Sequence, residues 1–89
     1  MNIDLSMVTT ERELHELLAR SLSFPTFYGQ NWDAFWDSIT DLVSLPEKII
    51  FTGSSDLKDR LPSSYEQLKN CFNELAKECP DINCAVYWE

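Results

Sequence analysis

The sequence predicts an α/β fold: a small three-stranded parallel sheet packed with about three to four helices, built as one domain over residues 1–89. Two observations carry this. Short strand-like runs are separated by segments with apolar residues at helical spacing, in the order strand, two helices, strand, helix, strand. Strands joined through helices have room to run parallel, with the helices packed on the sheet. Prolines and capping residues also fall at the joints, so the element boundaries can be read from the chain itself.

Asn2-Ile3-Asp4-Leu5-Ser6 alternates polar and apolar residues, the period of a half-buried strand. Thr10 and Glu13 have the spacing of a capping box. Leu14, Leu17, Leu18 and Leu22 then form one apolar stripe on a first helix that ends before Pro25. Asn31 is the expected N-cap of a second helix. Its apolar positions are Trp32, Phe35, Trp36, Ile39, Leu42 and Val43, and Pro46 closes it. Lys48-Ile49-Ile50-Phe51-Thr52 reads as a strand covered on both faces, because its apolar run is continuous. Residues 54–60 have room for a helical turn. Ser63 and Glu66 repeat the capping-box spacing before a third stripe of Tyr65, Leu68, Phe72, Leu75, Ala76 and Cys79. Pro80 disfavours helix at the residue before it and so stops this helix. Ile82 to Trp88 is the last strand.

Charge narrows the function. Fifteen Asp and Glu against seven Lys and Arg give a formal net charge of −8. A nucleic-acid binder neutralises phosphates with a basic footprint, and an anionic membrane repels a chain of this sign. No nucleic-acid or membrane partner is therefore expected; the charge serves solubility or a basic protein partner. Cys71, Cys79 and Cys84 are an odd number with no zinc spacing. Cys71 and Cys79 on one helix stand about 12 Å apart, too far to bridge. Free, buried thiols in a reducing cytoplasm are expected. Neither a signal-peptide pattern nor an apolar run of membrane-spanning length is present. No metal or cofactor motif stands out.

The second helix holds a conflict. Asp33, Asp37 and Asp41 recur every four residues, which stacks them on one face with Thr40 and Ser44. Like charges at that spacing repel, and Asp is a poor interior helix residue. The helix dipole favours Asp33 in the first turn but does little for the other two. Phe24, Phe27, Tyr28, Trp32, Phe35 and Trp36 crowd the same stretch. Most belong to the core, yet residues 27, 28 and 32 cannot all point inward. Exposed rings beside carboxylates have the make-up of a protein interface, with anchors and charge complementarity.

Phe24-Pro25-Thr26-Phe27-Tyr28-Gly29-Gln30-Asn31-Trp32-Asp33-Ala34-Phe35-Trp36-Asp37-Ser38-Ile39-Thr40 resembles the barstar family motif, with Tyr-Gly, an Asn and Asp-Ala-x-Trp-Asp in register. The resemblance implies a barstar-like fold and a cytoplasmic inhibitor, of the immunity or antitoxin type, directed at a basic, barnase-like secreted ribonuclease or toxin. In such a complex, one to one with a free monomer, the helix and preceding loop plug the active site. By position, Asp37 matches the carboxylate that enters the phosphate site and Asp33 the neighbouring acidic contact. Gly29, Asn31, Trp36 and Thr40 match surrounding contacts, Phe27 stands in place of a tyrosine, and Glu74 falls at a further acidic contact. Leu42 replaces a tryptophan and Asp41 a glycine, which points to a different ribonuclease.

Two other readings compete. A carboxylate-based metal enzyme needs converging ligands, whereas one straight helix face converges poorly on an octahedral ion. The single histidine, His15, lies in the charged segment Glu13-Leu14-His15-Glu16, where a surface residue is expected. No nucleophilic triad or glycine-rich phosphate loop accompanies it. The other reading is a protein-interaction module that keeps the fold without inhibiting a ribonuclease. Retention of the repulsive Asp33 and Asp37 pair favours the inhibitor.

Overall fold

The computed structural model describes residues 1–89. Three parallel strands, β1 (Asn2–Asp4), β2 (Lys48–Thr52) and β3 (Ala85–Trp88), form a sheet in the order β1-β2-β3. Ile3 pairs with Phe51, and Phe51 with Trp88, so one row of apolar side chains crosses the sheet on the face turned to the core. The next row, Asn2, Ile50 and Tyr87, faces the other way.

That second face corrects the expectation for residues 48–52. Ile49 and Phe51 are fully buried, but Lys48 is exposed and Ile50 and Thr52 only half-buried. Ile50 gains its partial cover in a row with Asn2 and Tyr87 rather than beneath a helix. The continuous apolar run therefore marks a strand covered on one face, with an isoleucine at an intermediate position.

The helices are α1 (Glu11–Leu22), α2 (Trp32–Asp37), α3 (Ser54–Arg60) and α4 (Pro62–Glu78), with a π-helical turn over Ser38–Leu42 continuing α2. The Thr10 hydroxyl accepts from Glu13 N at 3.1 Å, and the Glu13 carboxylate accepts from Thr10 N at 3.1 Å, so the capping box forms. Leu14, Leu18 and Leu22 are buried along α1, and its C-cap Ser23 turns left-handed at φ 59°. Gly53 bridges β2 to α3 at φ 69°, where an added Cβ would sit 2.7 Å from Ser6. Only glycine meets both demands.

The second predicted capping box does not form. α4 starts at Pro62, with Tyr65 N bonded to Leu61 O at 2.9 Å, so Ser63 already lies inside the helix. Proline at the first helical position loses no needed N–H and replaces the side-chain cap. α4 buries Ser64, Leu68, Phe72 and Leu75, leaves Ala76 exposed, and ends at Cys79 before Pro80. Phe35, Phe72, Phe51 and Trp88 then run ring to ring from α2 to β3, with centroids 5.9, 5.8 and 4.7 Å apart. Spacings of this kind add to the area that the rings bury. The three cysteines are free and half-buried. Burial, with a smaller push from the Asp33 charge, raises the Cys71 thiol to about 11.

Candidate protein-binding site

The loop from Ser23 to Asn31 and the turns that follow it carry most of the predicted site. Asn31 organises the join: its Oδ1 accepts from Ala34 N at 2.7 Å, and its Nδ2 donates to Gly29 O at 3.2 Å. Gln30 between them is left-handed at φ 52°. A Cβ on Gly29 would meet Asn31 Nδ2 at 3.2 Å, tighter than ordinary contact, so the turn closes best around glycine.

Seven of the eight predicted residues fall in or beside two depressions that flank α2. On one side, Phe27, Gly29 and Asp37 line a hollow with Leu42 and Ala34. Phe27 is 77% exposed and Leu42 49% exposed, so two apolar side chains stand clear of the core beside a carboxylate. On the other side, Asp33, Trp36 and Glu74 line a groove of about 260 Å³ between α2 and α4, with Trp32, Asn70 and Glu78. Asn31 caps the helix that separates the two hollows. Thr40, the eighth, lines neither. It is half-buried, and its hydroxyl donates to Trp36 O at 2.7 Å.

The expected ladder of three aspartates runs across a change of helical pitch. Val43 N bonds Ser38 O at 3.1 Å, an i to i+5 step. This wider turn advances each residue less about the axis, so Asp41 follows Asp37 at a different angle from a regular α-helical step. Ser44 lies beyond the helical turns altogether.

The carboxylates are unpaired within the chain. Arg12 and Glu16, 3.1 Å apart on α1, make the one side-chain ion pair. Asp33, Asp37, Asp41, Glu74 and Glu78 are all exposed with no cation opposite. Their fields add over one side of the molecule. No group of three or more His, Cys, Asp or Glu side chains comes together to hold a metal ion.

His15 is not the surface residue its charged neighbours implied. It is 1% exposed, beneath the loop, with Nδ1 2.5 Å from the Tyr28 hydroxyl and its ring 4.5 Å from that of Trp32. Burial lowers its basicity, partly opposed by the Glu11 charge, and burial holds the Tyr28 proton in place. The signal lay in the helical wheel: His15 follows Leu14 and precedes Leu18 by three, inside the buried stripe. Glu11, one turn earlier, accepts from Trp32 Nε1 at 2.7 Å and from the Ser64 hydroxyl at 3.3 Å. Neither contact was legible from spacing, and nor was the place of Glu78 in the groove.

Over residues 1–87 the chain matches the family described as Barstar (barnase inhibitor). It belongs to the barstar family. A protein of Bacillus subtilis (strain 168) named "Putative ribonuclease inhibitor YrdF" is 36% identical over 70 residues, covering 66% of this chain and 77% of that relative. The three-stranded parallel sheet and four helices agree with a barstar-like fold. No helix of this barstar-family chain is long and apolar enough to cross a membrane. Phe27 and Leu42, two positions expected to depart from the family pattern, share the hollow that Asp37 lines.

Proposed function

We propose that this protein is a non-enzymatic, cytoplasmic inhibitor of a basic, barnase-type secreted ribonuclease or nuclease toxin, acting as a single domain and one to one. The loop and α2 enter the enzyme's active site, and Asp37 takes the place of an RNA phosphate. Asp33 extends the negative surface beside it, and Glu74 extends it across the groove. Phe27, Gly29, Asn31, Trp36 and Thr40 surround that contact. The observation that carries this reading is a pair of unpaired carboxylates, Asp33 and Asp37, on an exposed helix between two hollows edged by half-exposed rings.

The physical argument runs through both rate and affinity. Uncompensated carboxylates attract a basic enzyme over distances of a Debye length and raise the association rate, an effect that salt screens. On contact, a basic cleft supplies the cations that the inhibitor lacks. Phe27 and Leu42 exclude water around Asp37 and so strengthen the charge pairing at the centre. Leu42 in place of a larger aromatic residue offers less apolar area at the rim, which favours a different nuclease.

The test is titration of a barnase-type ribonuclease with this protein and with Asp37→Ala. Stoichiometric inhibition is expected from the natural chain. The substitution should weaken the complex by at least ~2 kcal/mol, the scale of interface hot spots to which barnase–barstar complexes themselves contribute. Thermal unfolding of the variant should stay within about 0.5 kcal/mol of the parent, as for an exposed residue. A collapse of folding in Asp37→Ala would make Asp37 structural and sink the assignment. If basic nucleases go uninhibited, the fold serves as an interaction module with another partner.

A further inference from the structure

We propose that Glu11 and His15 are positioning residues that hold the recognition loop and the start of α2 in place from beneath, and that protonation of His15 loosens this hold. The proposal rests on reading the loop and α2 as the partner-binding surface. Glu11 and His15 lie one turn apart on α1, and Trp32 and Tyr28 lie four residues apart across the loop-to-helix join. The two pairs meet as rungs: Glu11 Oε1 to Trp32 Nε1 at 2.7 Å, and His15 Nδ1 to the Tyr28 hydroxyl at 2.5 Å. Glu11 also accepts from Ser64 of α4 at 3.3 Å, so one carboxylate ties together both walls of the groove that Asp33, Trp36 and Glu74 line. Outside these rungs the loop has few anchors: Phe27 is exposed, and Tyr28 N bonds Pro25 O within the loop itself.

The His15 rung is sensitive to charge. In the tautomer that leaves Nδ1 bare, Tyr28 keeps its proton and donates to it across 2.5 Å rather than to Asn31 O at 3.4 Å. In either tautomer Nε2 is buried with no partner. An unpaired neutral N–H is tolerable, whereas an unpaired N–H on a buried imidazolium costs considerably more. The groups around the ring do not neutralise that charge fully. Glu11, on the same helix, favours the cation but is outweighed by burial. Tyr28 from the loop and Cys71 from α4, which faces Tyr28, are both held protonated by their own burial. His15 is therefore less basic folded than its ordinary 6.5. The sign follows: a lowered folded value means that the hold is complete above about 6.5 and is lost as pH falls through the lower folded value. Protonation also turns Nδ1 into a donor, and the Tyr28 proton must then find Asn31 O, at 3.4 Å.

Amide hydrogen exchange of the free protein, expressed as protection factors between pH 5 and 8, tests this without any partner. Protection of residues 26–32 should fall severalfold toward pH 5 while that of β2 holds. His15→Gln should flatten the response. Glu11→Gln keeps an acceptor for Trp32 and Ser64 but removes the charge that favours imidazolium, so the fold persists and the midpoint moves to lower pH. A purely structural Glu11 would leave that midpoint where it is, and this result overturns the proposal, as does an acid loss of protection shared by β2. Association with a barnase-type ribonuclease is then followed over the same pH range for the natural chain and Glu11→Gln, so that the enzyme's own titrations are common to both. The natural chain should weaken at a higher pH than the variant; coincident profiles overturn the link to binding. If no complex forms at any pH while the loop behaves as expected, the ribonuclease reading fails and the positioning stands.

Discussion

α1 and α2 both start from a side-chain cap, Thr10 and Asn31, and both carry carboxylates in their first turn, yet the molecule uses them differently. α1 buries Leu14, His15, Leu18 and Leu22 and pairs its own charges through Arg12 and Glu16. α2 buries Phe35 alone, with Ser38 and Ile39 in the turn beyond, and leaves every aspartate without a cation. One helix is a support and the other a presented edge. The contrast teaches that a short, self-repelling helix can be held in place by a few buried residues and by rungs to a neighbour. Its outer face then stays free for charge that contributes nothing to folding.

Four changes would break or sharpen this contrast. The largest effect is expected at Phe35, which sits at zero exposure among Phe24, Trp32 and Phe72 with centroids 5.4 to 5.9 Å away. Phe35→Ala should cost about 3–5 kcal/mol by denaturant unfolding. A loss below about 1 kcal/mol would mean that α2 is not anchored through its core ring. Next, Thr10→Ala removes the cap of the supporting helix and should cost ~1 kcal/mol in the same assay. Asp37→Asn should leave stability within about 0.5 kcal/mol, on the side of a slight gain, because it relieves repulsion with Asp33. A clear loss would show a folding role for the presented face. Smallest of all, Ser63→Ala should change stability by no more than about 0.5 kcal/mol, since Ser63 caps nothing.

Much of this molecule was legible in its sequence where periodicity and punctuation agree. The Leu14, Leu18 and Leu22 stripe, the Thr10–Glu13 box, the Asn31 cap and the Pro80 stop are all local signals, and each is found in place. The motif from Phe24 to Thr40 carries the barstar-family resemblance in the sequence alone. What spacing could not show was tertiary. Ser63 and Glu66 have the form of a capping box, but the helix already opens at Pro62, two residues before such a box would start it. The repeat of Asp33, Asp37 and Asp41 assumes one uniform pitch, and the wider turn at Ser38–Leu42 alters it. His15 looked solvated among charges because sequence neighbours on a helix occupy different faces. Its burial depends on Tyr28 and Trp32 folding over it from a distant loop. Ile49, Ile50 and Phe51 signalled a buried strand without saying how many sides were covered.

The one-sided cover of the sheet has a practical consequence for anyone who needs to attach this protein to something. Ala85 and Tyr87 of β3 and Asn2 and Asp4 of β1 look away from the core on the face that no helix occupies. A surface tether or a reporter dye grafted at Ala85 is borne on the side of the sheet opposite the helical layer that supplies α2. A molecule immobilised through that position keeps its loop and acidic helix directed toward the solution.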